Sequence, residues 1–108
     1  MSKYCNEYLI SVMPKYFEKN YLPFLNRYEE FKDQGLSEKE IANAIGIHVV
    51  TMRRKKAQAL SILNFFRLKE IIILTREGKS DSEIKELLDI NDSFFNSLIT
   101  RAKEPKHD

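Results

Sequence analysis

GLSEKEIANAIGIHVVTMRRKK, Gly35 to Lys56, is followed 43 residues later by GKSDSEIKELLDINDSFFNSLI, Gly78 to Ile99. Gly35, Ser37, Glu40, Ile41, Ile45 and Ile47 align with Gly78, Ser80, Glu83, Ile84, Leu88 and Ile90, so the chain is an internal repeat. Both copies carry Ser-x-x-Glu, the spacing in which a hydroxyl and a carboxylate satisfy each other's orphan backbone N–H groups at a helix start. Short helices are therefore expected from Glu38 to about Ala44 and from Asp81 to Leu88. Gly46 ends the first cheaply in the left-handed region, and Asp89 stands at the equivalent place, where the same conformation is harder to adopt. Further helices open near Val49 and near Asp92.

Outward from the repeat, Tyr28 to Gln34 aligns with Ile71 to Glu77, so each unit begins with a helix that stops at a Gly. No Gly or Pro lies between Gly46 and Gly78, which permits one long helix from Val49 to Glu77. The repeat argues instead for a break near Asn64 and a fresh helix after it. Pro23 suits the first turn of a helix reaching Gln34. Before it, Tyr4, Tyr8, Leu9, Val12, Met13, Tyr16 and Phe17 form an apolar stripe at helical spacing, interrupted by Pro14. Two short helices, packing into a core or a dimer seam, are expected there. The organisation read from these signals is an aromatic-rich helical arm over 1–22, a first unit over 23–64 and a second over 65–108, either as small units sharing a core or as one compact domain.

Composition agrees with an all-α chain that buries a core. Of 108 residues, 43% are hydrophobic and 31% charged, with three Gly and three Pro. The single Cys5 excludes an internal disulfide and reads as a small hydrophobe; together with the lack of a secretory signal it suggests a cytoplasmic protein. The longest apolar run, Ile71 to Leu74, is far short of a membrane span. No Cys/His cluster has metal-ligand spacing, no Gly-rich phosphate loop is present, and His48 and His107 have no nucleophile near them in sequence. Neither an enzyme, a metal nor a cofactor is expected.

The net charge of +2 is small, but its placement is uneven. Met1 to Ala57 holds ten Lys/Arg against seven Asp/Glu, and Gln58 to Asp108 eight against nine. Arg53, Arg54, Lys55 and Lys56 form a cluster suited to phosphate. Between Lys79 and Phe95 there are two Lys against five acids.

Over Glu40-Ile41-Ala42, Ile45-Gly46-Ile47 and Thr51-Met52-x-Arg54, the first copy resembles the helix-turn-helix superfamily. The likeness is to the form in resolvase-type DNA-binding domains, small repressors and region-4-like sigma modules. Small Ala42 allows a close helix crossing, Gly46 makes the turn, and Ile41, Ile45, Ile47 and Met52 fill the wedge between the helices. The resemblance implies a tandem helix-turn-helix protein that binds double-stranded DNA in a sequence-specific way, as a small transcriptional regulator; the size fits equally well a protein of phage or plasmid origin acting in repression, partition or replication control. It places His48, Val49, Val50, Arg53 and Arg54 toward bases, with Thr51, Lys55 and Lys56 at flanking phosphates. Lys55 and Lys56 depart from the pattern, which carries an apolar residue there.

In the second copy, Phe95, Leu98 and Ile99 fill the apolar positions well. Its outward face would be Asn91, Asp92, Ser93, Asn96 and Ser97, with Phe94 exposed among them and Arg101, Lys103 and Lys106 at the far end. That composition fits a weaker DNA contact or a protein contact through Ser93, Phe94, Asn96, Ser97 and Arg101. The alternative to DNA reading is an adaptor or antagonist that keeps the scaffold without reading bases. A homodimer or another protein partner would then use the arm or the second unit.

Overall fold

The computed structural model describes residues 6–103, with side chains through 101, and within them the chain is all-α. Seven helices follow in order: α1 Glu7–Val12, α2 Lys15–Asn20, α3 Leu22–Asp33, α4 Glu38–Ile45, α5 Val49–Arg76, α6 Asp81–Leu88 and α7 Asp92–Lys103. Among the described residues no helix is long and apolar enough to cross a membrane. Tyr4, Cys5, Lys106 and His107 lie outside the described residues.

The local signals act where they stand. Pro14, extended at ψ 145°, separates α1 from α2. Pro23 sits in the first turn of α3, which opens one residue earlier at Leu22 and ends at Asp33. Both capping boxes are closed on both sides. Ser37 Oγ accepts from Glu40 N–H at 3.2 Å while Glu40 Oε1 accepts from Ser37 N–H at 3.0 Å. The corresponding distances for Ser80 and Glu83 are 3.2 and 3.1 Å. These bonds hold both carboxyls below their ordinary 4.5, the backbone donor contributing most. After α4 the chain turns at Gly46, φ 89°, and after α6 at Asp89, φ 55°.

The expected break near Asn64 is overturned: α5 runs unbroken for 28 residues and carries the chain across the position between 64 and 65. Two causes act together. No residue between Gly46 and Gly78 disfavours a helix strongly, and the inward positions stay in phase over the whole length. Met52, Ala59, Leu63, Arg67, Glu70, Ile71 and Leu74 are buried, recurring at spacings of three, four and seven apart from the adjacent Glu70 and Ile71. The helix that should end the first unit is the helix that begins the second. A rod of 28 residues is about 42 Å long, and it packs on α3 and α4 along one half and on α6 and α7 along the other.

One continuous core results. Leu25, Tyr28, Ile41 and Met52 at one end join Leu63, Ile71, Ile84, Leu88, Phe95 and Leu98 at the other. The arm belongs to it as well, since Leu9, Met13 and Phe17 are buried. Phe17 stacks on Tyr21 and meets Phe66 edge-on, both with centroids 5.4 Å apart. Polar contacts fix the arm's position further. Asn6 Nδ2 donates to the Leu87 carbonyl at 2.6 Å, and the Tyr8 hydroxyl donates to Glu70 Oε1 at 2.9 Å. Burial and the neighbouring carboxylate push the Tyr8 phenol up to about 12. Val12 and Tyr16, by contrast, face outward.

Candidate nucleic-acid interface

The α4–turn–α5 corner presents the opening turns of α5. Ile41, Ala42 and Met52 are buried where the helices cross, and Ile45 and Ile47 pack against them half-buried. That grip fixes which side of α5 looks out. His48 is the N-cap, and its Nδ1 accepts from Val50 N–H at 3.2 Å. The ring is exposed, but one of its two nitrogens is engaged by the helix start. Val49 is half-buried against the core and does not join the outward face. Val50, Thr51, Arg53 and Arg54 do.

The four cations of the RRKK run separate into three roles. Arg53 Nε donates to Glu38 Oε2 at 2.9 Å across the α4–α5 corner. That hydrogen bond, assisted by Arg53's charge and opposed by desolvation, lowers the Glu38 carboxyl from its ordinary value. Lys55 and Lys56 are half-buried, and their ammonium groups lie over aromatic rings of α3: Lys55 Nζ is 4.9 Å from the Phe24 centroid and Lys56 Nζ 4.1 Å from that of Tyr28. Their aliphatic stems thus cover the apolar core that Leu98 and Ile99 cover in the second unit. This is how two lysines stand where an apolar grip was expected, and it draws them back from the outermost surface. Arg54 is exposed, and among the described residues no ion pair engages it.

Two clefts flank this face. One of about 470 Å³ lies over the turn, with Lys39, Asn43, Ile47 and His48 in its wall. Lys39 and Asn43 were missed in the sequence reading because the α4 side of the corner was treated as scaffold. The other, on the opposite flank, brings Tyr16 and Asn20 of α2 beside Thr51, Arg54, Lys55 and Gln58 of α5.

The second corner repeats the first in backbone and differs in chemistry. Asn91 occupies the place of His48 and likewise caps its helix, Oδ1 accepting from Phe94 N–H at 2.8 Å. Phe95 and Leu98 are buried and Ile99 half-buried. Ser93, Asn96, Ser97 and Arg101 are exposed. Phe94 is not, contrary to expectation. It is half-buried, and the Arg67 guanidinium lies over its ring at 5.0 Å. Arg67 also donates to Asn64 Oδ1 at 2.8 Å. Asp92 pairs with Lys85 at 2.7 Å, so the acid at the mouth of this corner already has a cation. An open cleft of about 390 Å³ runs between Asn64, Asn91, Ser93, Ser97 and Arg101 over a floor of Phe94 and Leu98.

Comparison of the chain with family models, with curated proteins and with solved structures found no match.

Proposed function

We propose that the chain is a tandem helix-turn-helix protein that binds double-stranded DNA in a sequence-specific manner and serves as a small transcriptional regulator. The observation that carries this reading is the α4–turn–α5 corner. There the buried Ile41, Ala42 and Met52 fix α5 so that Val50, Thr51 and Arg54 project together from its opening turns. A helix held in this way offers a bidentate donor for guanine in Arg54 and a methyl-contacting surface in Val50. Arg53, itself exposed, would exchange its half-buried partner Glu38 for the duplex, a cheap exchange near the surface. The test is selection of bound duplexes from a random pool. An enriched motif is expected, and the Arg54→Ala variant should lose preference for it. A pool that stays random after selection would end the proposal.

A second reading, a protein-interaction module, is favoured by one observation. Phe65 is 62% exposed and Ile72, a heptad further along the same face of α5, is 44% exposed. Concentration-dependent mass in solution that Phe65→Ser abolishes would support it.

A further inference from the structure

We propose that the N-terminal arm is part of the DNA interface: α2 forms a ledge beside the recognition face of α5 and holds the phosphodiester backbone flanking the bases that α5 reads. This rests on the DNA-binding reading and extends it to residues that the repeat does not contain.

The ledge is the wall of an open cleft of about 580 Å³ between α2 and the opening turns of α5. Its lining is donor-rich. Tyr16 supplies a hydroxyl and Asn20 an amide from α2; Thr51, Arg54 and Gln58 supply a hydroxyl, a guanidinium and an amide from α5, and Lys55, its ammonium over Phe24, completes that side. None of its lining residues is acidic. Such a lining suits a ligand that accepts hydrogen bonds and carries negative charge.

The sides of α2 are divided in the same sense. At 100° per residue, Lys19 and Lys15 lie about 60° and 100° round the helix from Tyr16, whereas Glu18 lies about 160° away. Both lysines are exposed beside the cleft rather than in its lining, Lys19 nearer to its edge than Lys15, and Glu18 is the farthest of the three from Tyr16. Phe17, buried and ring-packed on Tyr21 and Phe66, anchors the helix in that rotation. Tyr16 is 52% exposed although its neighbours in the apolar stripe, Met13 and Phe17, are buried. A half-exposed tyrosine in the lining of a cleft carries a hydroxyl that can donate to a phosphate oxygen. The ledge therefore continues the positive surface of Arg54 onto a second element, and a backbone is a ligand long enough to touch both.

The test is a salt titration of duplex affinity with the full chain, using the selected duplex and one of unrelated sequence. Lys15→Ala together with Lys19→Ala should flatten the slope of log K against log salt by roughly 1.8, at about 0.9 for each phosphate no longer neutralised. Tyr16→Phe and Asn20→Ala should weaken both duplexes by a similar factor, because phosphate contacts position without reading sequence. Thermal melts of each variant verify the fold, which exposed positions leave intact. If the parent binds duplex and Arg54→Ala loses it while the lysine pair keeps both affinity and slope, the ledge is overturned and the reading of α5 stands. If the parent shows no salt-dependent duplex binding, both fall together.

Discussion

The two corners of this molecule share a skeleton and use its surface differently. Each has a serine–glutamate box, a left-handed residue after eight helical positions, and a side chain that caps the following helix. After the cap, the first corner places Arg53-Arg54-Lys55-Lys56 where the second places Asn96-Ser97-Leu98-Ile99. In the second, Leu98 is buried and Ile99 half-buried, so those two positions belong to the core. In the first, lysine stems do the covering and the ammonium groups come to rest over Phe24 and Tyr28. A cationic run is thus not four equivalent phosphate contacts. One member pairs across the corner, two roof the core, and Arg54 alone of the four is exposed without such an engagement among the described residues.

The comparison is broken most forcefully at the element both corners share. If α5 is one rod, Asn64→Pro removes a backbone donor and clashes one turn back in mid-helix, costing about 3 kcal/mol or more. Because a single core runs along α5, the loss should appear in one cooperative transition, not in half of the molecule. Two separated transitions in calorimetry, with one at the parent temperature, would restore two independent units and a joint at Asn64.

The next effect concerns DNA. On the proposed DNA-binding reading, Arg54→Ala is expected to cost about 1–3 kcal/mol on the preferred duplex. Arg101→Ala and Asn96→Ala in the second corner should cost less, since Asp81, Glu83, Glu86 and Asp89 surround that corner with negative charge. Equal losses in a gel-shift series would mean both corners read DNA and that local acidity does not decide the division.

Why the corners were legible in sequence and the rod was not follows from the range of the causes. Boxes, caps and turns are fixed by residues three or four apart, so Ser37, Gly46, Ser80 and Asp89 could be placed from their own neighbours. The continuity of α5 rests on the absence of breakers plus an inward phase maintained from Met52 to Leu74, and the repeat obscured it by suggesting that two copies need two separate helices. Phe94 was misplaced because its cover is Arg67, 27 positions earlier in sequence and on another helix. The charge of Lys55 and Lys56 and their departure from an apolar pattern are visible in sequence; only the rings of α3 beneath them show where the charge rests.

Smaller effects compare the boxes with one another. Ser37→Ala and Ser80→Ala should each cost about 1 kcal/mol. The carboxylates carry a sign that can be tested. Glu40 and Glu83 have folded-state values below the ordinary 4.5, so each contributes stability above that pH and loses it as pH falls through its lower folded value. Denaturant midpoints of Glu40→Gln and Glu83→Gln should therefore lie below the parent's at pH 7 and converge on it in acid. A gap unchanged down to pH 2 would show that charge contributes nothing to either box.

The smallest expected change, and the one that isolates the turns, exchanges the left-handed residues. Gly46 and Asp89 do the same backbone work at φ 89° and 55°, but a side chain in that region costs energy, somewhat less for Asp than for most residues. Asp89 also places a carboxylate at the C-terminal end of α6, where the helix dipole is negative. Asp89→Gly relieves both and gives back part of the gain through the greater freedom of the unfolded glycine, leaving a net stabilisation of about 0.5 kcal/mol. Asp89→Asn removes the charge and keeps the side chain, so it reports the dipole contribution alone. Gly46→Asp should be destabilising by about 1 kcal/mol, through backbone strain and the carboxylate it places at the C-terminal end of α4 rather than through a clash, because nothing lies within 4 Å of where its Cβ would stand. Opposite signs for the two exchanges in thermal melts would show that the corners share one turn geometry, built from the better residue in the first and the worse in the second. If Asp89→Gly is destabilising, the carboxylate has a partner that matters more than backbone strain, and the second corner is held together differently from the first.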